Sequence, residues 1–101
     1  MTTLYTDTHI AVATDPGAAD NQTLIAEVTP TWRVATQKLG IDWRTETLQT
    51  TLVGHKVRFP GWLLFDTSHV TQAVNTAQNN PADWRKTVWE IHPITAMQVF
   101  P

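Results

Sequence analysis

The chain has 101 residues, a size that allows one domain with one compact core and not two. Its hydrophobic content of 42% argues against wholesale disorder, and a net charge of -2 argues against a nucleic-acid partner gripped by a broad basic face. With no cysteine, neither a disulfide framework nor a thiolate metal site is possible.

No apolar run is long enough to cross a bilayer, so no membrane partner is expected. The opening MTTLYTDTHI lacks the basic start and apolar stretch of a signal segment. Absence of cysteine fits the cytoplasm and fits equally an exported protein that folds without disulfides, so localisation is left open. The four glycines are scattered, there is no glycine-rich phosphate loop, and no cofactor is expected.

In chain order, THIAVATDPG alternates Ile10 and Val12 with small or polar neighbours and then meets Asp15-Pro16-Gly17. Period-two alternation ending in turn residues predicts a strand and a hairpin loop. QTLIAEVTP resumes strand character, with Leu24, Ala26 and Val28 on one side and Ile25 and Glu27 on the other, and predicts an antiparallel pair with the first strand. PTWRVATQKLG is helix-like, with Thr31 as cap, Trp32, Ala35 and Leu39 on one stripe, and Gly40 as stop. DWRTETLQTTLVG predicts a second short helix through Leu48 and Leu52, poor in intrinsic propensity and dependent on packing.

HKVRFPGWLLFD carries the clearest strand pattern, with Val57 and Phe59 of one parity, Trp62 and Leu64 of the other, and a bend or bulge at Pro60-Gly61. TSHVTQAVNTAQNNPADW is long and polar, a surface loop with at most a helical turn at its start. KTVWEIH and ITAMQVF are two further strand-like runs, divided by Pro93. The order predicts a mainly β, α+β domain over residues 1–101: a small, OB-like, partly closed five-stranded barrel.

THIAVATDP, LIAEVTP, VRFPGWLLFDTSHV and WEIHPIT together resemble a group of small bacterial proteins of uncharacterised function. The shared positions are Asp7, His9, Glu27, Pro30, Gly61, Phe65, Asp66, His69, Glu90, His92 and Pro93, and they span nearly the whole chain. The closing hydrophobic-Glu-hydrophobic-His-Pro piece is the most specific. The resemblance implies an OB-like barrel and implies no activity. It also implies a further strand ahead of THIAV. Residues Met1 to Tyr5 would supply part of that strand, or a second copy would complete the sheet, since a barrel short of one strand exposes two edges.

Candidate chemistry centres on Glu90 and His92, which share parity and so face one side of a strand. Such a pair suits a shared divalent metal or acid/base work. The plainer alternative pairs Glu90 with Arg85 or Lys86 and has His92 bond the turn at Pro93. His9, His69 and Asp66 widen the set, and the metal-ligand candidates are His9, His69, Glu90 and His92. Ser68 beside His69 and Asp66 has the residue types of a nucleophilic triad, but neighbouring loop residues seldom converge as one. Of the five tryptophans, Trp32, Trp43, Trp62, Trp84 and Trp89, most are expected in the core, with Trp43 and Trp84 partly exposed. Lys56, Arg58, Arg85 and Lys86 could form a small ligand patch near Trp84.

The reading is an OB-like binding or interaction module of unknown ligand, without catalytic residues, whose ligand-binding set is Asp66, His69, Trp84, Arg85, Glu90 and His92. Its alternatives are a small metal-dependent hydrolase using the Asp/His/Glu cluster, and a structural subunit forming a homo-oligomer through an exposed strand edge.

Overall fold

The computed structural model describes residues 5–101. The described residues are α+β, with six strands in two sheets and two α-helices among them. Strand β1 (Thr8–Val12) pairs antiparallel with β2 (Leu24–Val28), as the alternation predicts, with His9 opposite Glu27 and Ile10 opposite Ala26. β2 then runs parallel to β5 (Trp89–Ile94), with Ile25 opposite Glu90. β5 is antiparallel to β4 (Gly61–Phe65), which makes a sheet of order β1-β2-β5-β4. β3 (Val57–Arg58) and β6 (Gln98–Val99) form a separate two-stranded ribbon. Among the described residues the four-stranded sheet stays open, with β1 and β4 as its edges. Of the expected leading strand at Met1 to Tyr5, all but Tyr5 lies outside the described residues.

Helices α1 (Pro30–Gln37) and α2 (Thr45–Leu52) follow β2. The cap of α1 is Thr29, not Thr31: the Trp32 N–H donates to Thr29 Oγ1 at 3.4 Å, and Pro30 fills a first-turn position that needs no N–H. The inward stripe also differs from the apolar one expected, since α1 buries Arg33 and Thr36 while Ala35 and Leu39 are exposed. Arg33 donates to Thr6 O and to Thr8 Oγ1, and Thr8 Oγ1 bonds Thr45 Oγ1 at 2.6 Å. A polar fastening therefore ties both helices to β1, a use of Arg that apolar periodicity does not register. α2 buries Leu48 and Leu52, as its four-residue spacing predicts.

The core holds Ala26, Val28, Trp43, Leu48, Leu52 and Ile94, with Ile10, Ile91 and Met97 packed against it. Successive strand residues alternate faces, so Ile10, Ala26, Val28 and Ile91 share the face under the helices. His9, Ile25, Glu27, Glu90 and His92 share the other. One sheet thus carries an oily face and a charged face.

Two strand boundaries differ from expectation. The bent strand at Pro60-Gly61 is broken outright, its halves β3 and β4 belonging to different sheets. Pro93 does not divide two strands but lies within β5, after a cis His92-Pro93 bond, beside a register irregularity between Gly61 and Leu63. A proline lacks a ladder donor, and it is tolerated where the ladder is already interrupted. Gly61 is required there: a Cβ would fall on the Ile91 side chain and 2.6 Å from Pro93 O.

The tryptophan expectation is corrected as well. Trp43 is the buried one, Trp32 and Trp84 are half-buried, and Trp62 and Trp89 are exposed. Trp62, Leu63, Leu64 and Phe65 all stand open on β4, because an edge strand that nothing covers leaves both its faces in solvent.

Candidate functional site

Glu27 reaches the charged face because β2 places it opposite His9, two residues beyond Ile25. Parallel pairing sets Glu90 beside the same stretch. Both carboxylates are 5% exposed, which would be costly without partners. Glu27 meets His9 and His92 of the flanking strands, and the partner of Glu90 comes from the long segment between β4 and β5. That segment has little regular structure, yet it is pinned by backbone bonds: Val74 N–H to Arg85 O at 3.0 Å, Trp84 N–H to Gln72 O at 3.0 Å, and Lys86 N–H to Thr23 O at 2.8 Å. Ala73 and Val88, both within it, are fully buried.

This bracing delivers Arg85, 1% exposed, to the charged face. Its Nη2 donates to Glu90 Oε2 at 2.9 Å, its Nη1 to Asp66 Oδ2 at 3.2 Å, and its Nε to Thr87 O at 2.7 Å. The guanidinium lies 5.2 Å from the Trp84 ring centroid, which adds a cation–π contact. Arg85 is therefore no part of an exposed basic patch, and Lys56, Lys86 and Arg58 do not line the pocket beside it. The pairing of Glu90 with Arg85 is the plainer of the two alternatives posed by the sequence.

Asp66 caps the turn after β4. Ser68 N–H and Ser68 Oγ donate to Asp66 Oδ1 at 3.1 and 2.6 Å, and His69 Nδ1 meets Asp66 Oδ2. Ser68 Oγ also lies 3.1 Å from His69 Nδ1. The trio is thus a capped turn whose hydroxyl is directed at Asp66, and not a nucleophile facing a base. His69 packs edge-on against Trp84, centroids 5.6 Å apart. Burial by itself would raise the Asp66 carboxyl, but bonds from Ser68 and His69 outweigh it and hold the pKa at about 2.

Glu27 has the opposite balance. Burial, then the hydrogen bond and negative charge of Glu90, then the charges of Asp7 and Asp66, push its pKa up to about 8. His9 Nε2 contacts Glu27 Oε1 from one side, and His92 Nε2 lies 3.5 Å from Glu27 Oε2 on the other. His92 Nε2 also lies 3.0 Å from Asp7 Oδ2, so His92 is directed to Asp7 and not to the turn at Pro93.

Above these groups opens a pocket of about 300 Å³, floored by Ile25, Glu27 and Glu90 and walled by His9, Asp66, Ser68, His69, Trp84 and Arg85. Asp66, His69, Trp84, Arg85 and Glu90, named from the sequence, are brought together here, and His92 lies alongside at Glu27. Of the four metal-ligand candidates, His9 and His92 reach Glu27 from opposite sides, at different carboxylate oxygens. His69 is held by Asp66, and Glu90 by Arg85. A second hollow, lined by Thr14, Asp15, Asn21, Gln22 and Lys86, includes no histidine and no buried carboxylate among its lining residues.

Two members were missed as ligands, Asp7 and Glu27. Glu27 had a usable signal, an acidic residue within an otherwise apolar strand and on the parity of Ile25. Asp7 had none, since its approach to His92 spans 85 positions and exists only through sheet pairing. Comparison with protein-family models, curated proteins and solved structures finds no match.

Proposed function

We propose that the domain is a binding module, without catalysis of its own, that seats a small positively charged group against Glu27 and Glu90. The observation that carries this reading is two deeply buried carboxylates from adjacent strands flooring a pocket. Arg85 is committed to Glu90 and Asp66, which leaves Glu27 facing the opening with further acids, Asp7 and Asp66, nearby. A cation entering there is drawn by the ionised carboxylates and favours the ionised form of Glu27. The volume lies at the small end of small-molecule sites, which suits a single amine or guanidine group and not a polymer. Methylguanidinium, titrated calorimetrically, is expected to bind one equivalent, with Glu27→Gln weakening it at least about tenfold. No heat up to millimolar ligand rejects the reading.

The OB-like architecture belongs to the same proposal. It is supported by the order β1-β2-β5-β4, by the parallel β2–β5 pair, and by the two helices between β2 and β3. In the small bacterial proteins that the sequence resembles a further strand precedes THIAV, and in an OB-like barrel its place would be against these bare edges.

Self-association through the edge is a second reading, supported by Trp62 at 70% and Leu63 at 71% exposure on β4. Sedimentation over a hundredfold concentration range tests it. A monomer throughout, unchanged by Trp62→Lys, counts against it.

A further inference from the structure

Two strands and the segment leading into a third direct one ligand atom each to a common point beside the pocket. Asp7 precedes β1, Glu27 lies on β2 and His92 on β5. Their ligand atoms all lie within 4.8 Å of one another. His92 Nε2 is 3.0 Å from Asp7 Oδ2 and 3.5 Å from Glu27 Oε2. Bonds of about 2.1 Å to a divalent transition metal place neighbouring ligand atoms about 3.0 Å apart in octahedral geometry and about 3.4 Å apart in tetrahedral geometry. The two separations from His92 fall close to those edges. His9 Nε2 contacts the other carboxylate oxygen of Glu27, Oε1, and stands outside this trio.

We propose that Asp7, Glu27 and His92, completed by solvent, form a binding site for one divalent transition-metal ion. This rests on the reading only in so far as the charged face accepts positive charge, and it adds a metal ion beside the pocket.

The donor set favours this class of ion. Imidazole nitrogens with carboxylates suit zinc, iron and manganese, whereas calcium and magnesium take oxygen ligands throughout. The acidic surroundings favour it too, because the third and fourth carboxylates, Asp66 and Glu90, already share Arg85. Glu27 is fixed in place by its strand and its burial, while the Asp7 and His92 side chains are 28% and 29% exposed. The ion therefore has a rigid anchor and a solvent route. Glu27 belongs to both the metal site and the pocket, so a bound ion would present its open coordination positions to whatever enters.

The test uses the whole chain, freed of any affinity tag and stripped with a chelator. ZnCl₂ is titrated calorimetrically, and Co²⁺ is added separately for its visible absorption. One equivalent of Zn²⁺ is expected to bind, with His92→Gln and Asp7→Asn each weakening it at least about tenfold and abolishing the Co²⁺ bands. His55→Gln, an exposed histidine on the other side of the helices in sequence, is expected to change neither. Thermal unfolding of each variant without metal confirms folding. Should His92→Gln not fold, Asp7→Asn, which alters a partly exposed side chain ahead of β1, decides alone. Methylguanidinium binding without Zn²⁺ binding overturns the metal site and leaves the pocket reading intact. Zn²⁺ binding that Asp7→Asn and His92→Gln leave unchanged also overturns it. Site-dependent Zn²⁺ binding without methylguanidinium binding supports it and rejects the organic-cation reading. Failure of both ligands rejects both readings.

Discussion

The two faces of the four-stranded sheet solve burial in opposite ways. Under the helices, Ala26, Val28, Ile91 and Ile94 meet Trp43, Leu48 and Leu52 in an apolar core, where any side chain of similar volume would serve nearly as well. On the other face, Glu27 and Glu90 are as deeply buried, but each depends on particular partners. An apolar core is tolerant and a buried ionic network is not, since losing one partner strands the rest. A chain needing only stability could have used apolar residues on both faces. Retaining charge where burial opposes it points to use of that face.

The sharpest way to break this contrast is Arg85→Met. It leaves Glu90 and Asp66 without their buried cation and is expected to cost about 3 to 5 kcal/mol in urea unfolding. Changing Glu90→Met as well should recover a large part of that loss, whereas no recovery in the double variant would mean that the network is not coupled as drawn. On the apolar face, Ile94→Ala should cost about 3 kcal/mol, and by the same amount at acidic and neutral pH, because no titrating group is involved. A cost that varied strongly with pH would erase the distinction between the faces.

Gly61→Ala tests the seam where β4 passes β5. With Pro93 O and the Ile91 side chain in the way, it should cost about 1 to 3 kcal/mol, read as a lowered midpoint without a change in urea slope. The smallest effect is confined to acid. Asp66 has a folded pKa of about 2, below its unfolded value, so its contribution is complete above about pH 4 and is lost as pH falls toward 2. Asp66→Asn should lose less stability than the parent over that interval, and parallel curves for the two would remove Asp66 from the acid response.

Local readings succeeded where local forces decide. The alternation of Ile10 and Val12 and the breaks at Asp15-Pro16-Gly17 marked the first hairpin, and Leu48 and Leu52 marked α2. The polar segment after Phe65 was legible as a loop, but its role in carrying Arg85 inward was not. Nothing in NNPADWRK distinguishes a buried arginine from an exposed one, because its burial depends on Glu90 and Asp66 waiting on other strands. Trp62 and Trp89 were misplaced for a related reason. Their bulk and apolarity predict burial, while Trp62 is exposed because β4 stands at an edge, and Trp89 opens β5 opposite the exposed Phe65.

By itself, then, the sequence determined the kinds of element, their order, and the positions where charge interrupts an apolar strand. These depend on side-chain period, turn residues and capping, which act over a few positions. The tertiary structure alone decided that β2 and β5 run side by side and parallel, and with that which acids meet. The meeting of Asp7 with His92, and of Arg85 with Glu90 and Asp66, required pairing between strands remote along the chain, and no local preference of either partner encodes it.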